Sequence, residues 1–490
     1  MPVAAAIFDP RTRYPAGLTR LRMGQYAAAI DIFRDILAAD PSHVGARRNL
    51  IRALLAAGEH EAVIAEAGIA LRQAPESAEL HFMRGTARGT LGLCDEARED
   101  LVLAVTLNPS LPAAWLNLGN AFMNADDLGA AEMHCRHALH LDPTLIEGYV
   151  SLGFILSSQG RPERAIAVLE QAIGLQPENV LAHWNLATAA LLSGDLPRGF
   201  SEYEWRKRHD VYRRDFINLP GPIWTGDDPS GRVIMVHAEQ GLGDTIQFAR
   251  YLPLIARLGG EPVLACEPSL IPLLNGIEGA RVVSKFDPLP RYDAWIDQMS
   301  LPHVFATTLD TIPFHTGYLA ANPARTAAHR PTGSRPIASH PIASHPIASQ
   351  QRAIGLAWAG NPLHRNDRRR TPPAEVFAPL FDLPNCHFVN LVPGRSLPGL
   401  EEPAWPLADY AETAALIAAV DLVVTVDTSV AHVAGALGRP AYVLLPFAPD
   451  WRWLLHRDDT PWYDSLRLLR QPVPGDWRSV IASLAGVLAG

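Results

Sequence analysis

The sequence predicts a multidomain protein in which an all-α array of helical repeats precedes two α/β domains. Prolines recur every 34 residues in the N-terminal part of the chain, which is typical of stacked helix-turn-helix units. Farther along, short apolar runs alternate with helical stretches, and this alternation restarts once. Two of the runs lead directly into a turn and a helix start, the arrangement at which open α/β sheets bind ligands.

The repeats are defined by residues that keep the same period. The prolines in register are Pro41, Pro75, Pro109, Pro143 and Pro177. Small residues precede each proline by twelve positions, where paired helices must approach closely, and Gly58, Gly92 and Gly160 occupy the expected turns. Trp115-Leu-Asn-Leu-Gly119 resembles the tetratricopeptide-repeat consensus, and the resemblance covers about residues 15–210. It implies a superhelix whose concave face holds an extended peptide.

One polar repeat position suggests how such a peptide is held. Asn49, Asn117 and Asn185 occupy equivalent positions, 68 residues apart, on the first helix of a pair. Because an amide both donates and accepts hydrogen bonds, this series would bind a peptide backbone of any sequence. It resembles the asparagine ladder of O-linked N-acetylglucosamine transferase, although Met83 and Ser151 interrupt it. The alternative is that these are solvated polar residues of a scaffold.

The first α/β domain opens with a strand, a glycine loop and a helix start. The loop is Glu239-Gln-Gly241-Leu-Gly243-Asp244, which lacks the third glycine of a dinucleotide fingerprint. Gly241 and Gly243 would let a substrate approach the backbone closely. Asp244 would serve as a general base toward a bound hydroxyl, and the alternative is that it caps the helix.

The second α/β domain contains the other motif, Asp427-Thr428-Ser429-Val-Ala-His432, after the apolar run Leu422 to Val426. The free N–H groups and the dipole of the following helix make this point receptive to a phosphate. The alternative is that Asp427 only caps the helix.

Two further segments of this domain would contribute ligand contacts. A loop with four arginines and a histidine between 364 and 370 is a plausible clamp for an anion, with a solvated loop as the alternative. Its candidate residues are Gly360, Asn361, His364 and Arg368. Aromatic runs at 451–453 and 461–463 would either stack on a base or sugar or pack in the core.

Composition restricts the possible chemistry. A net charge of -9 argues against a general nucleic-acid binder, and the absence of Gly-Lys excludes a Walker phosphate loop. No Asp-x-Asp occurs, so we expect no metal and no other cofactor. We expect a cytoplasmic protein without a membrane span. The sequence has no 18-residue apolar run and no secretory leader, and its four cysteines are scattered.

The two motifs together resemble the heptosyltransferase family, glycosyltransferase family 9, over about residues 230–488. The resemblance implies the GT-B fold, in which two Rossmann-like domains face each other, and a nucleotide-sugar donor. It implies that Asp244 deprotonates the acceptor and that Asp427 to His432 holds the donor diphosphate. Ser429 departs from the usual glycine of that family, which leaves the donor sugar open. Repeats joined to such a half resemble bacterial glycosyltransferases, some of which modify flagellin.

These observations predict five segments and one function. The segments are a tetratricopeptide-repeat domain at 15–210, a linker at 211–231, an acceptor-side domain at 232–330, a flexible insert at 331–352 and a donor-side domain at 353–488. The predicted function is inverting, metal-independent transfer of a sugar to an acceptor, expected to be a protein bound by the repeats. The alternatives are a scaffold with a non-catalytic GT-B domain and a nucleotide-sugar epimerase.

Overall fold

The computed structural model describes residues 10–209, 219–329, 352–363 and 366–489. The chain divides into two units, one comprising residues 1–159 and 167–178 and the other residues 160–166 and 179–490. The second unit contains the last repeat helices together with both sheets. Within the described ranges, no helix has the length and apolar character needed to cross a membrane.

The N-terminal part consists of short helices that follow the predicted repeat. They are α1 (Pro10–Arg22), α2 (Tyr26–Ala39), α3 (Val44–Ala57), α4 (His60–Gln73), α5 (Ala78–Thr90), α6 (Cys94–Leu107), α7 (Pro112–Asn124), α8 (Leu128–Leu141), α9 (Ile146–Ser158), α10 (Pro162–Leu175), α11 (Val180–Ser193) and α12 (Leu196–Tyr203). Helix pairs are joined by a residue with left-handed backbone, such as Gly58 with φ of 79°. Asp126 takes this place between α7 and α8 with φ of 62°, where the sequence has no glycine. The predicted turns are therefore confirmed.

Close helix packing explains the small residues of the repeat. Ala29, Val63, Ala97 and Ala131 are completely buried, and larger apolar residues such as Phe33 and Leu101 pack nearby. A longer side chain at these four positions would separate the helices, because helix axes only 8–10 Å apart leave little room at the contact.

The first sheet has four parallel strands in the order β3-β2-β1-β4. Its elements are β1 (Val233–His237), α13 (Leu242–Phe248), α14 (Leu252–Arg257), β2 (Glu261–Cys266), α15 (Ile271–Leu274), β3 (Arg281–Ser284), β4 (Ala294–Asp297), α16 (Leu301–Val304) and α17 (Pro323–Ala328). The predicted strand before the glycine loop is confirmed as β1. Residues 219–231, predicted as linker, include Trp224, which is buried and donates its backbone N–H to the carbonyl of Trp295 at 2.7 Å. This segment therefore packs beside β4.

The second sheet has five parallel strands in the order β6-β5-β7-β8-β9. Its elements are β5 (Arg352–Ala357), α18 (Asp367–Arg370), α19 (Ala378–Phe381), β6 (Cys386–Asn390), α20 (Tyr410–Ala419), β7 (Leu422–Val426), α21 (Ser429–Ala436), β8 (Ala441–Leu445), β9 (Leu466–Arg470) and α22 (Trp477–Ala489). The edge strand β9 was not predicted, because its arginines interrupt the apolar pattern. The predicted insert lies outside the described residues except for Arg352, which begins β5.

Candidate active site

The two sequence motifs meet where helix α13 packs against helix α21. A β-carbon on Gly243 would lie 3.0 Å from Cδ2 of His432 and 3.4 Å from the Cα of Ser429. The approach of the two helices therefore favours a residue without a β-carbon at this position. Gly243 also lines the cleft, and its predicted role in admitting a substrate to the backbone stays a prediction.

Asp244 lies at this junction with both carboxylate oxygens engaged. Oδ2 accepts a hydrogen bond from the backbone N–H of Gly241 at 3.0 Å, which caps helix α13 from within its first turn. Oδ1 forms an ion pair with the guanidinium of Arg452. The side chain keeps 23% of its surface exposed and lines the cleft. Gly241 and not Asp244 is therefore the N-cap, while the Asp244 carboxylate binds the N-cap N–H from the third helical position; its role as a base stays a prediction.

Arg452 connects the two sheet domains and was missed by the sequence analysis. Its guanidinium also donates to Gln247 Oε1 at 2.7 Å and to Asp450 Oδ1 at 2.8 Å, and it lies 4.2 Å from the ring centroid of Trp451. Burial opposes its charge, but Asp450 and Asp244 outweigh burial and raise the pKa of Arg452. No local pattern links Arg452 to Asp244, because they stand 208 residues apart.

Asp427 is not the N-cap of helix α21, which was the alternative considered for it. Thr428 is the N-cap of α21, and its hydroxyl accepts from the backbone N–H of Val430 at 3.3 Å. The Asp427 carboxylate is therefore not needed for the cap and lines the cleft. Burial, reinforced by the nearby Asp450 carboxylate, raises the pKa of Asp427 to about 6.

His432 lies on α21 in a largely apolar setting. It is 5% exposed, it is hydrogen-bonded through Nδ1 to the hydroxyl of Tyr463 at 3.1 Å, and it stacks on Trp453. Burial, together with the charges of Arg452 and Arg250, lowers the pKa of His432 well below its usual value. The imidazole is therefore neutral at pH 7, and it would meet a phosphate as a hydrogen-bonding group and not as a cation.

The described part of the arginine-rich loop places a cation in the cleft. Arg370 lines the cleft and donates to the carbonyl of Asp427 at 2.9 Å, whereas the side chain of Arg368 is exposed outside the lining. Gly360 and Asn361 line the cleft as predicted. His364 lies outside the described residues.

These groups share one cleft of about 1090 Å³ along the carboxyl ends of both sheets. In the described part of the chain, the remaining predicted residues that line it are Gly241, Gly243, Thr428, Ser429 and His432. Lining residues that the sequence analysis missed include Trp184, Thr188, Tyr203, Lys285, Arg395 and Tyr410. Nothing local marks them, because they come from separate elements that only folding brings together.

Most of the predicted aromatic faces belong to the core. Trp453, Trp462 and Tyr463 are at most 1% exposed, so the packing alternative is correct for them. Trp451 does reach the cleft lining. It is 6% exposed.

The three repeat asparagines differ in their surroundings. Asn49 is 3% exposed, and its amide donates to the hydroxyl of Tyr14 and to the carbonyl of Gly45, both at 2.9 Å. That amide nitrogen already has two acceptors inside the first unit, so peptide binding by Asn49 would require an exchange of one of them. Asn117 donates to the hydroxyl of Thr86 at 2.8 Å and is partly exposed, as is Asn185. Peptide binding by these residues stays a prediction.

Among the described residues, no three histidine, cysteine, aspartate or glutamate side chains are grouped so that they could hold a metal ion.

Family models match the repeats and one segment of the C-terminal half. Tetratricopeptide-repeat models match residues 20–84, 82–146 and 155–204. The model of glycosyltransferase family 9 (heptosyltransferase) matches residues 406–445, which include α20, β7, α21 and β8. The chain therefore combines a helical tetratricopeptide-repeat region with a C-terminal region of parallel sheets and helices, in which residues 406–445 match the family 9 model.

Two curated proteins are similar to this chain. Protein FlbA of Caulobacter vibrioides is 27% identical over 430 residues, which cover 80% of this chain and 70% of that protein. Tetratricopeptide repeat protein 6 of Homo sapiens is 29% identical over 104 residues, 21% of this chain and 20% of its own length.

Solved structures are similar to the repeats at low identity. One is a thermophilic tetratricopeptide-repeat protein of Thermus thermophilus, 22% identical, covering 37% of this chain and 100% of its own, with a TM-score of 0.33. Another is PilF of Pseudomonas aeruginosa, 19% identical, covering 41% and 92%, with a TM-score of 0.37. The predicted similarity to O-linked N-acetylglucosamine transferase stays a prediction.

Proposed function

We propose that the second unit is an inverting, metal-independent glycosyltransferase of the GT-B type. It takes a nucleotide sugar as donor and a protein, such as flagellin, presented by the repeats as acceptor. The observation that supports this most is the shared cleft, in which Asp244 and the segment from Asp427 to His432 line one cavity at the carboxyl ends of the strands. Open α/β sheets bind ligands at this edge. The match to family 9 at residues 406–445 indicates the reaction class.

The reaction moves one sugar between two oxygen atoms. An acceptor hydroxyl oxygen attacks the anomeric carbon while the bond to the nucleoside diphosphate breaks. Asp244 takes the hydroxyl proton as the general base. The diphosphate leaves with the bonding electron pair, and the N-terminus of α21 and the guanidinium of Arg370 stabilise its charge.

Donor affinity requires several weak contacts. A helix terminus contributes about 0.3–1 kcal/mol at an exposed site, whereas micromolar binding needs about 8 kcal/mol. We assign the remainder to Arg370, to the Gly360–Asn361 backbone and to neutral hydrogen bonding by Ser429 and His432.

One observation favours the second candidate, a scaffold with a non-catalytic transferase domain. Both carboxylate oxygens of Asp244 are engaged, one by the Gly241 N–H and one by Arg452. Each oxygen keeps a second lone pair for an acceptor proton, but the carboxylate is already held by a cation and a backbone N–H, as a purely structural residue would be. The two candidates therefore differ in whether Asp244 is required for turnover.

The first experiment is a thermal-shift screen of the full chain against UDP-, GDP-, ADP- and CMP-linked sugars. A ligand that binds only the folded state raises the melting temperature with its concentration. We expect one donor class to stabilise the wild type and to lose most of its effect in His432→Ala. His140→Ala, exposed on α8 in the other unit, is the matched control. Stabilisation by none of the sugars would contradict the transferase proposal.

The base is tested with the donor that this screen identifies. Asp244→Ala should abolish sugar transfer while donor affinity changes little, since the carboxylate acts on the acceptor. Release of nucleoside diphosphate gives the turnover, and titration calorimetry gives the affinity. Turnover equal to that of the wild type would remove Asp244 from the mechanism and favour another base.

A further inference from the structure

Part of the cleft lining comes from a repeat helix and not from either sheet. Trp184 and Thr188 of α11 both line the cleft and are both partly exposed. They stand four residues apart, so they lie on one side of the helix, a turn from each other. We call this pair the α11 wall. Helix α11 belongs to the same unit as both sheets, and a tetratricopeptide-repeat model matches it.

The end of the repeat array is fixed to the loop that carries Asp244. The hydroxyl of Tyr203 donates to Gln240 Oε1 at 3.2 Å and accepts from its Nε2 at 3.0 Å. Arg206 is completely buried and donates to Glu239 Oε1 at 2.9 Å and to Ser300 Oγ at 2.9 Å. Breaking a buried ion pair is strongly unfavourable, so these contacts hold Tyr203 and Arg206 against the loop. The α11 wall is connected to them through Trp184, whose ring packs near that of Tyr203.

The α11 wall is mainly apolar. The Thr188 hydroxyl donates to the carbonyl of Asn185 at 3.0 Å, which leaves its methyl group for external contact. The Trp184 ring lies 4.9 Å from that of Tyr203, and part of its surface remains open. By contrast, the ends of β2 and β3 contribute Glu267 and Lys285 to the same lining. A molecule between these surfaces needs one apolar part and one polar part.

The size of the cleft leaves room for such a molecule beside the donor. Pockets for one drug-sized ligand have about 300–1,000 Å³. This cleft, at about 1090 Å³, exceeds that range, as expected for a cleft that is lined by both motifs and takes two substrates. The predicted donor residues Gly360, Asn361 and Thr428 come from the second sheet, whereas the α11 wall adjoins the Asp244 loop through Tyr203. The acceptor is therefore the substrate that the wall would contact.

We propose that the α11 wall is an acceptor subsite, which binds an apolar side chain of a polypeptide next to the residue that receives the sugar. This rests on the proposed transferase function and specifies its acceptor. A polypeptide is favoured for two reasons. The wall lies on a helix of the repeats, and a polypeptide can place an apolar side chain on the wall while a neighbouring hydroxyl faces the polar part of the cleft. A saccharide is the competing occupant.

The test measures binding of two defined probes to the full chain. One is a fluorescein-labelled pool of eleven-residue peptides with a central serine flanked by leucine, valine or phenylalanine, and the other is labelled maltohexaose. Anisotropy gives both dissociation constants with UDP, GDP, ADP or CMP present. The variant Trp184→Ala should bind the peptides about tenfold more weakly, because it loses an aromatic contact and the apolar area that this contact buries.

Two further variants separate a local contact from damage to the fold. Trp184→Phe keeps an aromatic face and should recover most of the affinity. Leu181→Ala removes a side chain that is 49% exposed on the same helix but lies outside the cleft lining, and it should change affinity less than twofold. The melting temperature of each variant is measured alongside.

The outcomes distinguish this proposal from the one on which it rests. Peptide binding that Trp184→Ala leaves unchanged, or no peptide binding at all, overturns the subsite. Binding of maltohexaose alone, weakened by Trp184→Ala, assigns the wall to a saccharide and also overturns it. Failure of every nucleotide and nucleotide sugar to bind the wild type contradicts the transferase function itself, whatever the peptide does.

Discussion

Replacing Asp427 with asparagine should stabilise the second unit at neutral and alkaline pH. The folded protein holds the carboxyl proton to about pH 6, whereas the unfolded chain releases it near 3.8. Ionisation therefore destabilises the folded state as the pH rises from about 4 to 6 and beyond. The two pKa values differ by about 2 units, and at 1.36 kcal/mol per unit the charge costs up to about 3 kcal/mol above pH 6.

The expected melting shift follows from the size of the unit. Roughly 300 residues at about 2.1 cal/mol/K each give an unfolding entropy near 0.6 kcal/mol/K, so about 3 kcal/mol corresponds to about 5 °C. Scanning calorimetry should show this gain at pH 8. At pH 5 the gain should fall to about half, because the unfolded carboxyl is then ionised but the folded one is mostly protonated.

The control is Asp310→Asn, at an exposed position of the same unit, which should shift the melting temperature by less than about 1 °C. A lower melting temperature for Asp427→Asn, or an equal gain at pH 8 and pH 5, would refute the reasoning. A positive result would indicate that Asp427 is retained for its chemistry, since stability alone disfavours it.

Three other predictions concern Arg452, His432 and Asp100. Arg452→Gln should lower the melting temperature of the second unit by the equivalent of about 2–4 kcal/mol, because it leaves the Asp244 and Asp450 carboxylates without their shared cation; an unchanged calorimetric transition would contradict this. Because the pKa of His432 is lowered well below its usual value, calorimetric affinity for a nucleotide sugar should not decline between pH 6 and 8 through loss of a histidine charge; a fall centred near 6.5 that persists in Asp427→Asn, which removes the carboxyl that titrates near pH 6 in the same cleft, would show that His432 binds as a cation. Asp100 is 1% exposed and accepts from His81, Arg84 and Arg88, so Asp100→Asn should destabilise the first unit by about 3–5 kcal/mol without changing nucleotide affinity. Burial would raise the pKa of Asp100, but hydrogen bonds from Arg84 and His81 outweigh burial and lower it. The stability that the Asp100 carboxylate contributes is therefore present above about pH 4 and is lost as the pH falls further. Circular dichroism melts at pH 7 and pH 3.5 check the loss of stability in Asp100→Asn and its dependence on pH.

The sequence by itself determined the architecture, because periodicity is a local property. Prolines and small residues with a period of 34 predicted the repeat helices, and apolar runs such as Leu422–Val426 predicted the buried parallel strands. Both motifs were located correctly at strand ends, since parallel strands bring their carboxyl ends to one edge. Strand β9 was not predicted, because the arginines of this edge strand interrupt the apolar pattern that identifies strands.

Only the tertiary structure decided how the site residues are used. Whether Asp427 or Thr428 caps α21 depends on backbone angles and a hydrogen bond of 3.3 Å that composition does not encode. Arg452 reaches Asp244 across 208 residues of chain, and Trp184 reaches the cleft from a repeat helix. The charge states of Asp427 and His432 depend on burial. Burial is a property of the packed chain, and no local stretch of sequence contains it.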